Sequence, residues 1–319
     1  MNNNIIKTAL RSNIFMSIML SIILLAVGQI VSPGFATPSN IMNLLMIAAF
    51  LGVITLAQVI VMITDSGGID LSVGSMLQFA MIVIAKMGAD GQSFQLSLVI
   101  SILACTAFGF ANGLGTVLLK IPPLIMTLSM GSVVLGVMLI YIKGFPDGGS
   151  PRVLSKFIYG ETLSLPNMIL VWIIIIAAVT FVMSKTKIGR IMYGVGSNRL
   201  TAELSGVNTQ KVRIIAYGMS GFVCSFAGIF LLGYMAAPNN LETGAHYIMP
   251  SIAAAVVGGV SLSGGEGSYG GAVTGVIFLT ILEALLMTVQ LGEPVRKIIY
   301  GVVVIAILIN YVRKNTKSS

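Results

Sequence analysis

The sequence predicts an all-α integral membrane protein of about ten transmembrane helices, some of them short or broken, with amino and carboxyl termini both cytoplasmic. Three observations carry this reading. Apolar residues make up 56% of the 319-residue chain and charged residues only 9%. Mean hydropathy is +0.99, which excludes a soluble domain with a solvated surface. Apolar runs recur along the whole length at the spacing that a ~30 Å hydrocarbon core demands. Residues 1–319 therefore read as a single transmembrane domain, with no segment left for a separate soluble one.

Residues 13–31 form the first predicted helix. They follow Lys7 and Arg11 as a signal peptide would, but the run is long for such a segment and no small-residue cleavage site follows, so a retained helix is expected. The second and third helices, 41–63 and 71–85, flank Thr64-Asp65-Ser66-Gly67-Gly68-Ile69-Asp70-Leu71-Ser72-Val73-Gly74-Ser75. Two carboxylates among glycines and hydroxyls are costly in lipid unless they face a partner or water, and glycine frees the backbone to leave the helix. On this stretch alone, a tight cytoplasmic hairpin and part of a permeation route are both open. Helices follow at 96–119, 124–142, 168–183, 214–234, 248–262, 269–289 and 298–312. The third, eighth and tenth have about 15 residues each. That is only ~22 Å of helix at ~1.5 Å per residue, so any of them is a candidate for a re-entrant or broken segment. Cys105 and Cys224 fall inside predicted helices, where cysteine serves as a small apolar side chain.

The formal charge of +8 is explained by topology rather than by a nucleic-acid partner. With a cytoplasmic amino terminus and ten crossings, 12 of the 18 Lys and Arg residues lie inside, among them Lys7, Arg11, Lys120, Lys187, Arg190, Arg199, Arg213, Arg313, Lys314 and Lys317. This is the positive-inside bias; the reverse orientation leaves six inside. Two polar connections stand out. Residues 143–165, with Gly144-Phe145-Pro146-Asp147-Gly148-Gly149-Ser150-Pro151, are expected outside the cytoplasm, as a structured turn over the pore mouth, a docking surface or a plain linker. Residues 184–213 are expected to form a cytoplasmic loop holding six of the inside cations. Within it, Arg199 to Gly206 fits two helical turns with Asn198 as N-cap and Gly206 as terminator, the alternative being a cationic loop that only enforces topology.

No catalytic constellation emerges, so the chain is not expected to be an enzyme or to carry a cofactor. Leu262-Ser263-Gly264-Gly265-Glu266 looks like an ABC ATPase signature, but no G-x-x-x-x-G-K-[ST] accompanies it to cradle phosphates. A compact, glycine-thinned turn is the better reading. His246, the single histidine, is expected in an outside loop with Glu242 and lacks the neighbours a zinc site needs. Of the carboxylates, Asp65, Asp70 and Glu283 approach membrane depth, where each must find a partner, face water or take up a proton. Phe79, Phe108, Phe110 and Tyr217 sit beside small or polar residues, as ring faces that hold sugars often do.

Several collinear stretches resemble the permease subunits of ribose- and galactose-type ABC importers. They are Gly67-Gly68-Ile69-Asp70-Leu71-Ser72-Val73-Gly74-Ser75, then Asn112-Gly113-Leu114, Lys120-Ile121-Pro122-Pro123 and Thr127-Leu128. The series continues with Thr186-Lys187-Ile188-Gly189-Arg190, Gly194-Val195-Gly196-Ser197-Asn198, Leu204-Ser205-Gly206-Val207-Asn208 and Gly258-Gly259-Val260-Ser261-Leu262 through Gly267-Ser268. The resemblance implies a multi-pass protein of the bacterial cytoplasmic membrane that pairs with a second permease copy. Its implied partners are an ABC-type ATPase below and an extracytoplasmic solute-binding protein above. The translocation path is expected along Asp70, Ser72, Ser75 and Asn112 of the matched stretches and the aromatic Phe108, and the resemblance makes Asn198, Ala202, Leu204, Ser205 and Gly206 part of a helix that couples to the ATPase.

The pattern is broken in places. Asp65 and Ser66 intervene before Gly-Gly-Ile-Asp, Arg199-Leu200-Thr201 stands where Glu-Ala-Ala is usual, His246-Tyr247-Ile248-Met249-Pro250 replaces an acidic segment, and Glu283 takes a usually neutral position. The competing expectation is an ion-coupled secondary transporter using Asp65, Asp70 and Glu283. A non-transporting scaffold leaves the embedded glycine and acid clusters unexplained.

Overall fold

The computed structural model describes residues 13–316 apart from 145 and 239. Lys7, Arg11, Phe145 and Lys317, which the sequence reading assigned to one side or the other, lie outside the described residues. Among the described residues thirteen α-helices run in the order α1 Asn13–Val31, α2 Pro38–Thr64, α3 Val73–Ala89, α4 Phe94–Val117, α5 Pro123–Ile142, α6 Arg152–Ile158 and α7 Asn167–Lys185. They continue as α8 Lys187–Ser197, α9 Arg199–Leu204, α10 Thr209–Met235, α11 Ala245–Val257, α12 Tyr269–Thr288 and α13 Glu293–Thr316. A two-residue antiparallel hairpin, Glu161–Thr162 with Leu165–Pro166, follows α6.

Among the described residues seven helices, α1, α2, α4, α5, α7, α10 and α12, are long and apolar enough to cross a membrane; α3 and α11 are shorter apolar helices. Burial sorts them into layers. The apolar window of α2 is 89% buried, against 17% for α1 and 22% for α4 and α7. Helix α2 is thus the axis of the bundle, and the outer helices turn Ile30, Leu103, Ile140, Ile174 and Phe181 outward, an exterior that only lipid solvates well. Close packing comes from glycine. A Cβ on Gly109 of α4 would stand 2.3 Å from the Tyr217 carbonyl of α10, and one on Gly221 2.1 Å from the Cys105 carbonyl, so the two backbones touch. In the core, Trp172 Nε1 donates to Tyr269 Oη (3.0 Å), which donates to the Gly52 carbonyl (2.9 Å).

Three of the differences in boundary from the hydropathy reading have a local cause. The third helix begins at Val73 rather than residue 71, since Asp70 takes the Ser72 N–H. The eighth stops at Val257 instead of continuing to 262, because residues 258–267 turn on glycines; it starts at Ala245, so His246 lies in its first turn and not in a loop. The tenth is not short: it starts at Glu293, whose carboxylate pairs with Lys297 at 2.7 Å across one turn. Residues 143–165 are a structured cap. Ser150 N–H donates to the Ala236 carbonyl (2.7 Å) and Tyr159 Oη to the Tyr234 carbonyl (2.6 Å).

The element ends gather into two groups. One holds this cap, Gln78 of α3 and the 240–244 link, where Gln78 Nε2 donates to the Asn240 carbonyl and Oε1 accepts from Gly244 N–H, both at 2.9 Å. The other holds the end of α2, the α8–α9 corner and the glycine turn after α11, where Gly265 N–H donates to the Ile63 carbonyl at 2.9 Å. Gly196 makes this junction possible, since a Cβ there would stand 1.8 Å from the Ile63 oxygen and 2.7 Å from Gly265 N. No flexible side chain is available to yield. Gly196→Ala is therefore expected to destabilise the protein by about 1–3 kcal/mol. Gly194→Ala, where nothing lies within 4 Å, should leave stability unchanged. Thermal unfolding in detergent, followed through Trp172 as the single tryptophan, checks the pair.

Candidate functional site

Helix α2 ends at Thr64, and the chain crosses eight irregular residues, 65–72, before α3. Asp65 is extended, Gly67 takes φ +73°, and Gly68 N–H returns to the Asp65 carbonyl at 2.8 Å. Ser66 and Gly67 are exposed, but Gly68, Asp70 and Ser72 are buried, and the polar groups of that inner half have to be paired by protein. Gln58, one helical face back on α2, donates Nε2 to the Asp70 carbonyl (2.6 Å) and accepts the Asp70 N–H (3.3 Å). Thr127 Oγ1 of α5 accepts the Leu71 N–H (3.0 Å) and lies 3.2 Å from the Ile69 carbonyl. At the exposed start of the segment, Gly67 N–H donates to the Leu262 carbonyl at 3.0 Å.

The Asp70 carboxylate is fully buried. Its Oδ1 accepts from Ser72 N–H (3.0 Å) and Ser72 Oγ (2.6 Å), and its Oδ2 from Ser220 Oγ of α10 (2.9 Å). Because the Ser72 hydroxyl proton goes to Asp70, its oxygen accepts from Asn112 Nδ2 of α4 (2.8 Å). That orientation leaves Asn112 Oδ1 without a hydrogen-bond partner among the described residues. Of the five residues predicted along the path, Asp70, Ser72 and Asn112 thus form one buried cluster. Ser75, one turn further along α3, is half-buried beside Gly131 of α5. Phe108 is half-buried one turn before Asn112, edge-on to Phe79 at 5.3 Å. Tyr217 offers no open ring face, being wholly buried.

Asp65, five residues earlier and 1% exposed, has a second set of partners. Arg213 of α10 grips both oxygens, Nε to Oδ1 and a terminal nitrogen to Oδ2, each at 2.8 Å. Tyr217 Oη donates to Oδ2 at 3.3 Å, and Arg199, the first residue of α9, to Oδ1 at 3.1 Å. Arg213, Tyr217 and Ser220 are spaced to share one face of α10. That single face holds both carboxylates of the break.

Helix α9 is short but closed at both ends. Asn198 caps it by accepting the Thr201 N–H at 3.0 Å. Ser205 and Gly206 end it in a Schellman arrangement: Gly206 N–H to the Glu203 carbonyl (2.9 Å), Val207 N–H to the Ala202 carbonyl (3.1 Å), with Gly206 at φ +81°. Ala202 packs inward, while Leu204 is 82% exposed and Leu200 66%. Helix α8, which the sequence reading took as loop, buries Gly189, Met192, Val195 and Gly196 on one face. Tyr193 Oη donates to the Gly267 carbonyl at 2.7 Å, and burial pushes its phenol up from its ordinary range. Between α8 and α9 lies a cleft of about 470 Å³ bordered by Lys187, Arg190, Asn198, Ala202 and Ser205. A second, of about 390 Å³, is lined by Asp65, Lys120, Arg199, Glu203, Gln210 and Arg213.

Glu283 and His246 are exposed and share no bond with Asp65 or Asp70. Among the described residues no three His, Cys, Asp or Glu side chains are placed to hold a metal ion.

Residues 40–308 match the family described as branched-chain amino acid transport system / permease component. This chain belongs to that permease family. It is 31% identical over 291 residues to the ribose import permease RbsC of Bacillus subtilis, covering 90% of this chain and 89% of that protein. It is 31% identical over 287 residues to the autoinducer 2 import system permease LsrC of Escherichia coli (88% and 82%) and 30% identical over 294 residues to the probable ABC transporter permease YphD (90% and 86%). No solved structure matches it. The chain is a multi-pass ABC-importer permease, and two of its departures from the sugar-permease pattern, Asp65 and Arg199, meet in a single ion pair.

Sequence reasoning missed Gln58, Ser220 and the role of Arg213. Gln58 was findable as an isolated amide in an apolar run, and Arg213 through its spacing to Tyr217 and Ser220. The two arginines differ in consequence. Removing Arg213 strands a buried carboxylate, so Arg213→Met is expected to destabilise by about 3–5 kcal/mol. Arg199→Gln, removing a half-exposed partner, should cost under about 1 kcal/mol. Thermal unfolding of the two purified variants in detergent tests the order.

Proposed function

We propose that this chain is the permease subunit of an ATP-driven importer of a monosaccharide or related small hydroxylated solute. It forms the translocation path in the bacterial cytoplasmic membrane and takes its energy from a separate ATPase. The observation that carries this is α9: a helix closed by caps at both ends, presenting Leu200 and Leu204 outward and bonded through Arg199 to the break between α2 and α3. A rigid piece of this kind converts a push from outside the bundle into movement of the helices behind it. The gathering of the α2 end, the α8–α9 corner and the glycine turn at one end supports ten crossings with both termini cytoplasmic and residues 184–213 as the coupling loop.

On this reading Asn198, Ala202, Leu204, Ser205 and Gly206 shape the surface that an ABC-type ATPase receives. A second permease copy completes the path, and a solute-binding protein delivers to the opposite end, where residues 143–165 form the cap. Asp70, Ser72 and Asn112 set the helix break, and the half-buried Ser75 and Phe108 border the path. The relatives named for ribose and autoinducer 2 import support a hydroxylated solute. Ion coupling through Asp65, Asp70 and Glu283 is not favoured, because Asp65 and Asp70 are already held by donors and Glu283 stands apart from both.

Co-purification of a tagged chain with an ATPase, and uptake that persists under an uncoupler but stops without ATP, is the expected result. Uptake that collapses with the uncoupler and needs no ATPase overturns it. Gly206→Trp is a sharper probe: the position has open space but φ +81°, so the change spoils the end of α9 without crowding the bundle. The variant is expected to insert normally and to lose solute accumulation, as measured by radiolabelled uptake at matched expression.

A further inference from the structure

Building on the permease reading, we infer that Asp65 is a positioning residue for energy coupling, and that its bond to Arg199 is the separable link through which movement of α9 reaches the helix break. Asp65 directly follows the last residue of α2 and opens the irregular segment. Its carboxylate is shared unequally. Arg213 neutralises it through two 2.8 Å bonds inside the protein, and Arg199 adds one bond of 3.1 Å from a side chain 46% exposed.

The inequality is what makes the Arg199 bond separable. When Arg199 leaves, Asp65 keeps its buried counter-ion and no naked charge is created in the interior. Arg199 in turn has somewhere to go. The cavity of about 390 Å³ beside it is also lined by Glu203, one turn along the same helix, which now accepts from Thr209 Oγ1 of α10 at 2.5 Å. An arginine and a glutamate four residues apart are within reach of each other on a helix. Among the described residues, Arg199 is the only α9 side chain bonded to the break. The other side-chain tie from α9, Glu203 to Thr209, runs to α10. A shift of α9 away from α2 therefore exchanges the Asp65 partner of Arg199 for Glu203. The return shift restores it.

The test uses the permease reconstituted in nanodiscs with its ATPase and binding protein, comparing wild type, Arg199→Gln, Arg199→Lys, Asp65→Asn and the double variant Asp65→Asn/Arg199→Gln. Arg199→Gln is expected to keep ATP hydrolysis within about twofold while solute moved per ATP falls about tenfold, an ordinary size for coupling between two sites. Arg199→Lys should recover most of the loss, and the double variant should be no worse than Asp65→Asn alone. Wild-type import by Arg199→Gln, or losses that multiply in the double variant, overturns the proposal. Hydrogen exchange on the isolated permease separates this result from failure of the permease reading. Faster exchange across 199–205 with unchanged exchange across 209–220 in Arg199→Gln supports the link, and unchanged exchange at both refutes it, whether or not an ATPase is involved.

Discussion

Buried polar groups in a membrane protein have no water to pair with, and where the chain leaves the helix at 65–72 they draw backbone and side-chain partners from four long helices and a turn, while Ser66 and Gly67 stay exposed. Gln58 supplies an amide from α2, Thr127 a hydroxyl from α5, Ser220 a hydroxyl from α10, Asn112 an amide from α4 through Ser72, and Leu262 a carbonyl from the turn after α11. Each of the four side-chain partners is fixed by a helix that has its own packing to satisfy, so the break and the bundle specify each other. The position of α3, the most enclosed of the short helices, follows from it. Nothing in the apolar composition of α3 places it there, since an apolar helix packs almost equally well in several orientations within lipid and protein.

Helix α10 is the second consequence. Backbone contact with α4 at Gly109 and Gly221 fixes its axis, and on that fixed axis Arg213, Tyr217 and Ser220 address Asp65 and Asp70 together. The break is thereby held at both of its carboxylates by one rigid body. Asp65 and Ser66, which depart from the sugar-permease pattern, do not form an ion site: the extra carboxylate is consumed by Arg213, Tyr217 and Arg199.

The sequence revealed the long helices because a run of twenty apolar residues has little else to be, and it revealed α9 because Asn198 and Gly206 are strong local stop signals. It revealed less where short elements depend on packing. Helix α6 and its hairpin are held by distant carbonyls at Ala236 and Tyr234, which no local pattern announces. Helix α8 carried a readable amphipathic spacing in Gly189, Met192 and Val195, obscured by the cations Lys187 and Arg190 that also serve topology. Within the site, Asp70 and Asn112 stood out as polar residues in apolar surroundings. Arg213 did not, since a cation at the end of a membrane helix already has an explanation in the positive-inside bias, and its partner lies 148 residues away.

The contrast between glycine and arginine contacts indicates which parts can move. At the α2, α8 and turn junction, Gly196, Gly264 and Gly265 bring backbone against backbone, and such contacts transmit displacement without yielding, because no side chain lies between them to change rotamer. Helix α8 and the end of α2 therefore behave as one piece. Helix α9 hangs from that piece at Asn198 and from α10 at Thr209, with Gly206, at φ +81°, as the turn between them. The ends of α9 are constrained by backbone; its side is held by the inward-packed Ala202, by Glu203 on Thr209 and by Arg199, whose half-exposed side chain reaches Asp65. On the coupling proposed for α9, a push on the exposed Leu200 and Leu204 reaches the half-exposed Arg199 contact, which ends on the carboxylate where α2 leaves the helix.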